Sequence, residues 1–381
     1  MIRPEIFSKK WPIIPLSEAV EFLDSRRKPV KASDRVEGAY PYYGANGQQG
    51  TINDYIFDEP LVLLAEDGGH FGISGRKVAY SISGKTWVNN HAHVLKPKSK
   101  ICLNFLCRQL EFYDVSRYIT GSTRGKLTKA DASRIKVCLP PIEEQRRIAA
   151  ILDKADSIRR KREQALALAD DFLRATFLDM FGDFGVNQKA FPEVEIGDVV
   201  SEVCDGPHVS PEYADEGIPI LSTRNIRPAT LVLKDLKYVT QDNYDFLTRI
   251  FKPQKGDVLL TKGGTTGFAK AVDFHWPFAI WVHLACLRPT KEVLPAFLET
   301  ALNTKWCYEQ SQKYTRGITN KDLGLTRIKK IKILLPPKSL QLAFEKTYRR
   351  RIALKKKLNA EVILSEKLVA SLSQRAFRGE L

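Results

Sequence analysis
At 381 residues the chain is too long for one ordinary hydrophobic core and reads as two domains or more. Its composition is globular, neither disordered nor collagen-like, and it has no apolar run of the roughly 18 residues a membrane span needs. A formal net charge of +16 points to a polyanionic partner, nucleic acid before any other.

The opening MIRPEIFSKKWPII lacks the apolar stretch of a secretory signal, so a cytoplasmic protein is expected. Short β-branched runs bounded by turn residues follow, at EPLVLLAE (59–66), KVAYSISG (77–84), HAHVLKP (91–97) and RIKVCLP (134–140). A short helix is predicted over 104–115. Then LPPIEEQRRIAAILDKADSIRRKREQ begins at Leu139 and predicts a long helix. Proline is favourable at a helix start, where its missing N–H would be unbonded anyway. Glu143 and Glu144 complement the positive end of that helix. Strand signals resume at IPILS, GDVLLTK, FAKAVDF, LACLRP and KIKILLP, with a helix predicted over 294–312. A second long helix, LPPKSLQLAFEKTYRRRIALKKKLNA, begins at Leu335, with Ser339 as its expected cap.

The chain is duplicated. A shift of 196 positions lays Pro140 and Pro141 on Pro336 and Pro337, Gln145 on Gln341, and Phe181 on Phe377. LVLLAEDGGHFG (61–72) matches DVLLTKGGTTGF (257–268), and NNHAHVLKP (89–97) matches WVHLACLRP (281–289). The first helix carries an apolar stripe through Ile148, Ile151, Ala155, Ile158, Ala165, Ala169 and Phe172, with Leu152, Leu166 and Leu173 beside it. The second carries one through Leu340, Phe344, Tyr348, Ile352, Leu358, Val362, Val369 and Leu372. Such narrow stripes suit a coiled coil, and the simplest partner for each helix is the other. The cationic faces, RRKR (159–162) and YRRRIALKKK (348–357), suit solvent, DNA phosphate or another subunit.

Signatures of chemistry are lacking. No Asn/Asp-Pro-Pro-aromatic motif or GxxxxGK[ST] loop occurs, and GGTTG (263–267) reads as a turn between strands. His91 and His93 would share a strand face, but no further ligands suggest themselves, so packing or hydrogen bonding is the reading and no metal is expected. The six cysteines form no CxxC pair and read as reduced core residues. No cofactor is expected. The chain reads as a binder: a DNA reader or, alternatively, a coiled-coil scaffold for other proteins.

The stretches LPPIEEQRRIAAILDKAD, LPPKSLQ, YPYYGANGQQGTINDYIFDEPLVLLAEDG (40–68) and DGPHVSPEYADEGIPILSTRNI (205–226) resemble the specificity subunits of type I restriction-modification enzymes, over nearly the whole length. The second helix start departs from the first, with Lys338, Ser339 and Leu340 in place of Ile142, Glu143 and Glu144. The resemblance implies an α+β chain of two strand-rich target recognition domains, 1–138 and 183–334. Each is followed by a helix, 139–182 and 335–381, and the helices pair as an antiparallel coiled coil that separates the two readers. It also implies a non-catalytic chain that binds double-stranded DNA at a bipartite site, with two modification subunits supplying methyl transfer and restriction subunits joining for cleavage. Amides bond adenine well in the major groove, and basic or hydroxyl side chains serve bases and phosphates. Expected DNA contacts in the first domain are therefore Tyr40, Tyr42, Tyr43, Asn46, Gln48, Gln49, Ser122, Thr123, Arg124 and Lys126. In the second they are His208, Thr223, Arg224, Asn225, Lys262, Thr265, Thr266 and Arg316, the last set loosely opposite Arg124.

Overall fold
Both Leu-Pro-Pro stretches open long α-helices, Ile142–Phe181 and Lys338–Arg378. At 1.5 Å per residue each is about 60 Å long. The computed structural model describes residues 2–73, 75–121 and 125–381. They divide into two units, Met1–Gln164 with Leu358–Leu381, and Ala165–Lys357, so each long helix contributes to both.

A glutamine fixes each helix start. Gln145 Nε2 donates to the carbonyls of Lys100 (2.9 Å) and Pro140 (2.8 Å), while its Oε1 accepts the Cys102 N–H (2.8 Å). Gln341 repeats the arrangement with Glu292 (3.1 Å), Pro336 (3.0 Å) and the Leu294 N–H (2.9 Å). Both side chains are buried, at 0% and 1% exposure, so these main-chain groups depend on them and not on water.

In the first unit an antiparallel sheet runs in the order Val20–Phe22, Ala92–Pro97, Leu61–Ala65, Ala79–Ile82. A second sheet runs Gly47–Ile52, Tyr40–Gly44, Lys85–Val88, Phe57–Asp58, its two inner strands parallel. The second unit repeats the first sheet as Val200–Asp205, Leu284–Pro289, Val258–Thr261, Ala269–Ala271. It repeats the parallel pair as Ile218–Leu221 with Ala279–Ile280. Register is kept: Val62 pairs Leu95 and Leu64 pairs His93, as Val258 pairs Leu287 and Leu260 pairs Ala285. The strand Leu61–Ala65 is apolar throughout because it is buried on both faces. Val62 and Leu64 face the main core, and Leu61 and Leu63 a smaller one.

The main core of the first unit includes Leu106, Ile148, Leu152, Ala376 and Phe377; that of the second includes Leu173, Phe177, Phe181, Phe297 and Phe344. The last turn of each long helix thus completes the core of the unit it ends in. Phe377 lies 5.7 Å from Phe105, and Phe181 lies 5.0 Å from Phe297. Within the first unit Arg162 meets Glu361 (3.5 Å) and bonds Ser365. Within the second, Asp170 receives Arg351 (3.0 Å) and Lys355 (2.9 Å), and Phe177 meets Phe344 (5.4 Å between ring centres). Arg147, earlier on the first helix, bonds the Leu381 carbonyl, so in each unit one residue number rises as its partner's falls and the helices pair antiparallel, as expected.

The seam differs in detail from the predicted stripe. Ile148, Leu152, Ala155, Ala169, Leu173 and Phe177 are buried, whereas Ile158 and Phe172 are exposed. On the second helix Ser365 and Ser373 are buried where a stripe of large apolar residues leaves them out. The predicted helix over 294–312 is two, Pro295–Leu302 and Lys305–Tyr314. Thr304 caps the second, and Asn303 turns aside to bond both main-chain groups of Ala269 (3.1 and 2.9 Å). The cysteines are free; burial pushes the Cys107, Cys138 and Cys307 thiols up to about 12.

Replacing Gln145 or Gln341 by Leu strands one buried N–H and two carbonyls. Each change is expected to lower stability by about 1–3 kcal/mol. Urea denaturation followed by circular dichroism measures it; an unshifted midpoint in both variants would contradict the clamp.

Candidate nucleic-acid interface
Some candidate residues follow the parallel strand pair, as Asn46, Thr223, Arg224 and Asn225 do, and others follow strands of the first sheet of the second unit, Lys262, Thr265 and Thr266 after Val258–Thr261 and His208 after Val200–Asp205. In the first unit the Asn89 N–H donates to the Tyr43 carbonyl (3.0 Å). The Asn89 amide donates to Gln49 Oε1 (3.1 Å), Asn46 Nδ2 donates to the Gly68 carbonyl (2.9 Å), and Gln48 Nε2 donates to the Gly50 carbonyl (3.2 Å). Asn46, Gln49 and Asn89 border a cleft of about 520 Å³, lined also by Lys31, Arg35, Asp67 and His91. Asn46, Gln48 and Gln49 are exposed and keep bonding capacity for a ligand.

The tyrosines behave differently. Tyr42 is 1% exposed, its hydroxyl donates to the Val30 carbonyl (3.2 Å) and accepts the Val30 N–H (3.1 Å), and Arg35 stacks 3.8 Å over its ring. Its ring therefore holds the loop before the strand and does not face solvent, contrary to expectation. Tyr43 packs on Tyr80 and Tyr40 on Tyr55, both half-buried. Arg35, missed in the sequence, reaches the cleft and donates to the Gln49 carbonyl (3.3 Å). Ser122, Thr123 and Arg124 lie outside the described residues. Lys126, half-exposed, pairs with Glu66 (3.2 Å), and its main chain bridges to Thr120 and Asp67.

Beneath this edge, ligand atoms of Asp24, Glu66 and His93 lie within 4.8 Å of one another. The grouping is an ion-pair cluster. Arg27 donates to Glu66 (2.6 Å) and sits 3.6 Å from Asp24, so a cation already occupies the position between the carboxylates. His93 engages both ring nitrogens, with Asp24 (2.7 Å) and the Leu127 carbonyl (2.8 Å). Burial alone would raise the Asp24 pKa. The hydrogen bond and charge of His93, the Val94 N–H and Arg27 outweigh it and leave the carboxyl below its ordinary value. His91 bonds Asp67 instead, so the two histidines serve different loops.

In the second unit the Trp281 N–H donates to the Leu221 carbonyl (2.9 Å), as Asn89 does to Tyr43. Thr223, Arg224 and Asn225 then follow their strand as Ala45, Asn46 and Gly47 follow theirs. Arg224 is exposed, like Asn46, and Thr223 half-buried. Asn225 is buried and spent internally: its Oδ1 accepts the Ser222 N–H (2.9 Å) and its Nδ2 donates to Val232 (3.0 Å). Thr266 is also buried, bonded to Thr315 (2.9 Å), with its carbonyl taken by Gln312 (3.0 Å). His208 and Thr265 are exposed. The His208 loop leaves through Gly206, where a Cβ would lie 2.1 Å from the Ile280 carbonyl, so only glycine fits.

Lys262 is 6% exposed and donates to Asp205 (2.9 Å) and the Val282 carbonyl (3.3 Å), with Asp322 at 3.4 Å. Its charge is used inside the fold, so it is not a free phosphate or base contact. At the 196 shift Lys262 matches Glu66 and Asp322 matches Lys126. The same ion pair is therefore present in both units with its signs exchanged, a paired reversal legible in the aligned copies but not sought there. Asp205 stands at the strand end that Asp24 continues in the first unit.

Arg316 is exposed, yet it does not correspond to Arg124. Its main chain pairs with Asp322 as that of Thr120 pairs with Lys126. By that register Thr120 matches Arg316, and Arg124 matches Asn320. The exposed candidates are thus Asn46, Gln48, Gln49 and Lys126 in the first unit, and His208, Arg224, Thr265 and Arg316 in the second.

Lys262→Met leaves the Asp205 carboxylate short of its main partner and is expected to cost about 1–3 kcal/mol. Arg316→Ala should cost less than about 0.5 kcal/mol, as exposed substitutions do. Paired urea titrations of the two variants check this; equal effects would place Lys262 outside the framework.

A family model described as the type I restriction modification DNA specificity domain matches the chain twice, over residues 8–168 and 192–363. A putative type I restriction enzyme specificity subunit of Haemophilus influenzae is 28% identical over 335 residues, covering 85% of this chain and 83% of the relative. The EcoKI specificity subunit of Escherichia coli is 23% identical over 353 residues, covering 84% and 74%. The crystal structure of a type I restriction-modification S subunit from M. genitalium matches the fold with a TM-score of 0.62 over 96% of each chain, at 13% identity.

Proposed function
Because the chain belongs to the type I restriction-modification DNA specificity family, as a specificity subunit with two target recognition domains, we propose that it reads the two halves of a bipartite site in double-stranded DNA. The observation that carries this reading is the repeated edge. Two copies of one framework present different exposed hydrogen-bonding side chains, with Asn46 of the first at the position of Arg224 in the second. Asn46, Gln48 and Gln49 stand on one copy, and His208, Arg224, Thr265 and Arg316 on the other. Equal frameworks with unequal polar tips are what two different half-sites require, since base edges are distinguished by donor and acceptor pattern. The +16 charge supplies the sequence-independent attraction to phosphate.

The recognition domains are taken as residues 1–138 and 183–334, and the helices 139–182 and 335–381 as the platform for partners. Exposed apolar residues recur along the helices at the 196 shift: Ile158 with Leu354, Leu168 with Leu364, Phe172 with Leu368. None of these has a role in the core of its own unit, and their repetition suits two copies of one partner, the modification subunits. Methyl transfer then belongs to those subunits, and cleavage to restriction subunits that join them.

Selection of duplexes from a randomised library by the full chain with its modification subunit tests the reading. Two conserved blocks separated by an unread gap are expected; enrichment without sequence preference would overturn it. Arg316→Ala is expected to weaken binding by about 1–3 kcal/mol and to relax one block only, if the side chain reads a guanine. If it meets phosphate, affinity falls for all sequences and the salt slope drops by about one. An unchanged affinity and slope would remove Arg316 from the interface.

Phe172→Asp and Leu368→Asp address the platform. Each is expected to weaken capture of the modification subunit while leaving the variant's own thermal unfolding unchanged, because both side chains are at least half exposed. Full capture by the double variant, measured by co-purification, would move the docking surface elsewhere.

A further inference from the structure
The loop Arg316–Asp322 is built as a fixed finger. Its ends are closed by two main-chain bonds, Arg316 N–H to the Asp322 carbonyl (2.9 Å) and Asp322 N–H to the Arg316 carbonyl (2.8 Å). The Gly264 N–H holds the Lys321 carbonyl (3.0 Å), and buried Lys262 draws in the Asp322 carboxylate (3.4 Å). Arg327 adds a bond to the other Asp322 oxygen (3.1 Å), and Leu323, wholly buried, roots the next residue in the core. At the start of the finger, Gly317 has φ +88° and a Cβ there would meet the Asn320 carbonyl at 2.3 Å. Only glycine permits the turn.

At the tip of this tied loop stands Ile318, 98% exposed. Burial in its own fold gives it nothing, so its side chain does not explain the loop's construction. Neighbouring Thr319, Asn320 and Lys321 are polar and exposed, or nearly so, which confines the apolar character to one side chain. At the 196 shift Ile318 matches Ser122 and Asn320 matches Arg124, so the copies differ in residue type between the matching main-chain bridges. In the major groove the one apolar feature on a base edge is the thymine methyl group. A fixed aliphatic side chain among polar neighbours at a DNA-reading edge suits that feature.

We propose that Ile318 is a specificity-determining residue that packs against a thymine methyl group in the half-site read by the second unit, with Lys262 and Asp322 as positioning residues that hold the finger in place. The proposal rests on the DNA-reading function above. Rigidity matters because a tip ordered before binding loses little entropy on contact.

The test removes the methyl alone. After a site has been selected with the full chain and its modification subunit, each thymine on both strands is replaced in turn by deoxyuridine. At one position the unsubstituted protein should bind about fourfold more weakly, which is the ~0.8 kcal/mol of one buried methyl group at 1.4 kcal/mol per tenfold. Ile318→Ala should bind the thymine and deoxyuridine duplexes at that position equally, with its thermal unfolding and salt slope unchanged. Asp322→Asn should shrink the discrimination at the same position only. A selected site without thymine, a discrimination that survives in Ile318→Ala, or no discrimination anywhere would each overturn the proposal. So would an Ile318→Ala variant whose only defect is capture of the modification subunit. Failure to select any sequence is a separate result, and removes the reading on which the proposal stands.

Discussion

Two buried glutamines hold the architecture together. At each Leu-Pro-Pro start the helix's own bonds begin at the second proline, whose carbonyl accepts the Gln145 or Gln341 N–H, so the carbonyl of the first proline lies outside the ladder and needs a donor from elsewhere. Gln145 and Gln341 supply that donor, and with the rest of the same amide they bind the segment that begins the preceding short helix. One side chain thus fixes where the long helix leaves the globular part and at what rotation. The rotation decides which residues form the seam, and the seam brings Phe377 and Phe181 to the cores they complete. The first unit is finished by the end of the second long helix, and the second by the end of the first. Folding either unit fully therefore requires sequence from both repeats.

With the framework so constrained, the first sheet and the parallel strand pair repeat, and the copies diverge in the rest of the second sheet and at the edge. The sheets keep their pairing register, and Asp24 and Asp205 keep their place at the strand end. What changes is which side chains stand beyond the last main-chain bonds. Those positions carry little of the fold's stability, so they can differ without disturbing the core beneath them. A reader of two unlike half-sites needs this separation between what holds and what is held.

Much of this plan was legible in the sequence, for a physical reason. Pro-Pro followed by glutamine and a long amphipathic run admits few structures, and the duplication checked itself at many positions. The seam was less legible because apolar type does not distinguish a residue facing the partner helix from one facing a second protein: Phe172 and Ile158 are apolar and exposed. The interface residues divided along another line. Tyr42, Asn225, Lys262 and Thr266 have the right chemistry for DNA, yet their hydrogen-bonding or charge capacity is consumed by Val30, Ser222 and Val232, Asp205, and Thr315. Residue type announces capacity; only the fold tells whether it is already used. Arg316 was matched to Arg124 because both stand between a threonine and a glycine, whereas the main-chain bridges set the true register four residues away.

The exchanged ion pair carries this separation further. Glu66 with Lys126 and Lys262 with Asp322 perform one task with opposite polarity, and in each case the partners lie about sixty residues apart in the chain. Moving only the finger from one copy to the other would set Lys126 against Lys262, or Asp322 against Glu66, close to groups that are largely buried. Like charges at such short range are costly, and here the anchor that suffers is the one that closes the loop. The cluster around each pair deepens the mismatch. Arg27 already neutralises Glu66 in the first unit, whereas Asp205 has Lys262 as its close cation in the second. A reading loop is therefore compatible with its own domain and not with its counterpart, although the first sheet and the parallel strand pair repeat in both units. Recognition can be exchanged only in whole domains, which carry loop and anchor together, and the unit of specificity in this chain is correspondingly the domain and not the loop.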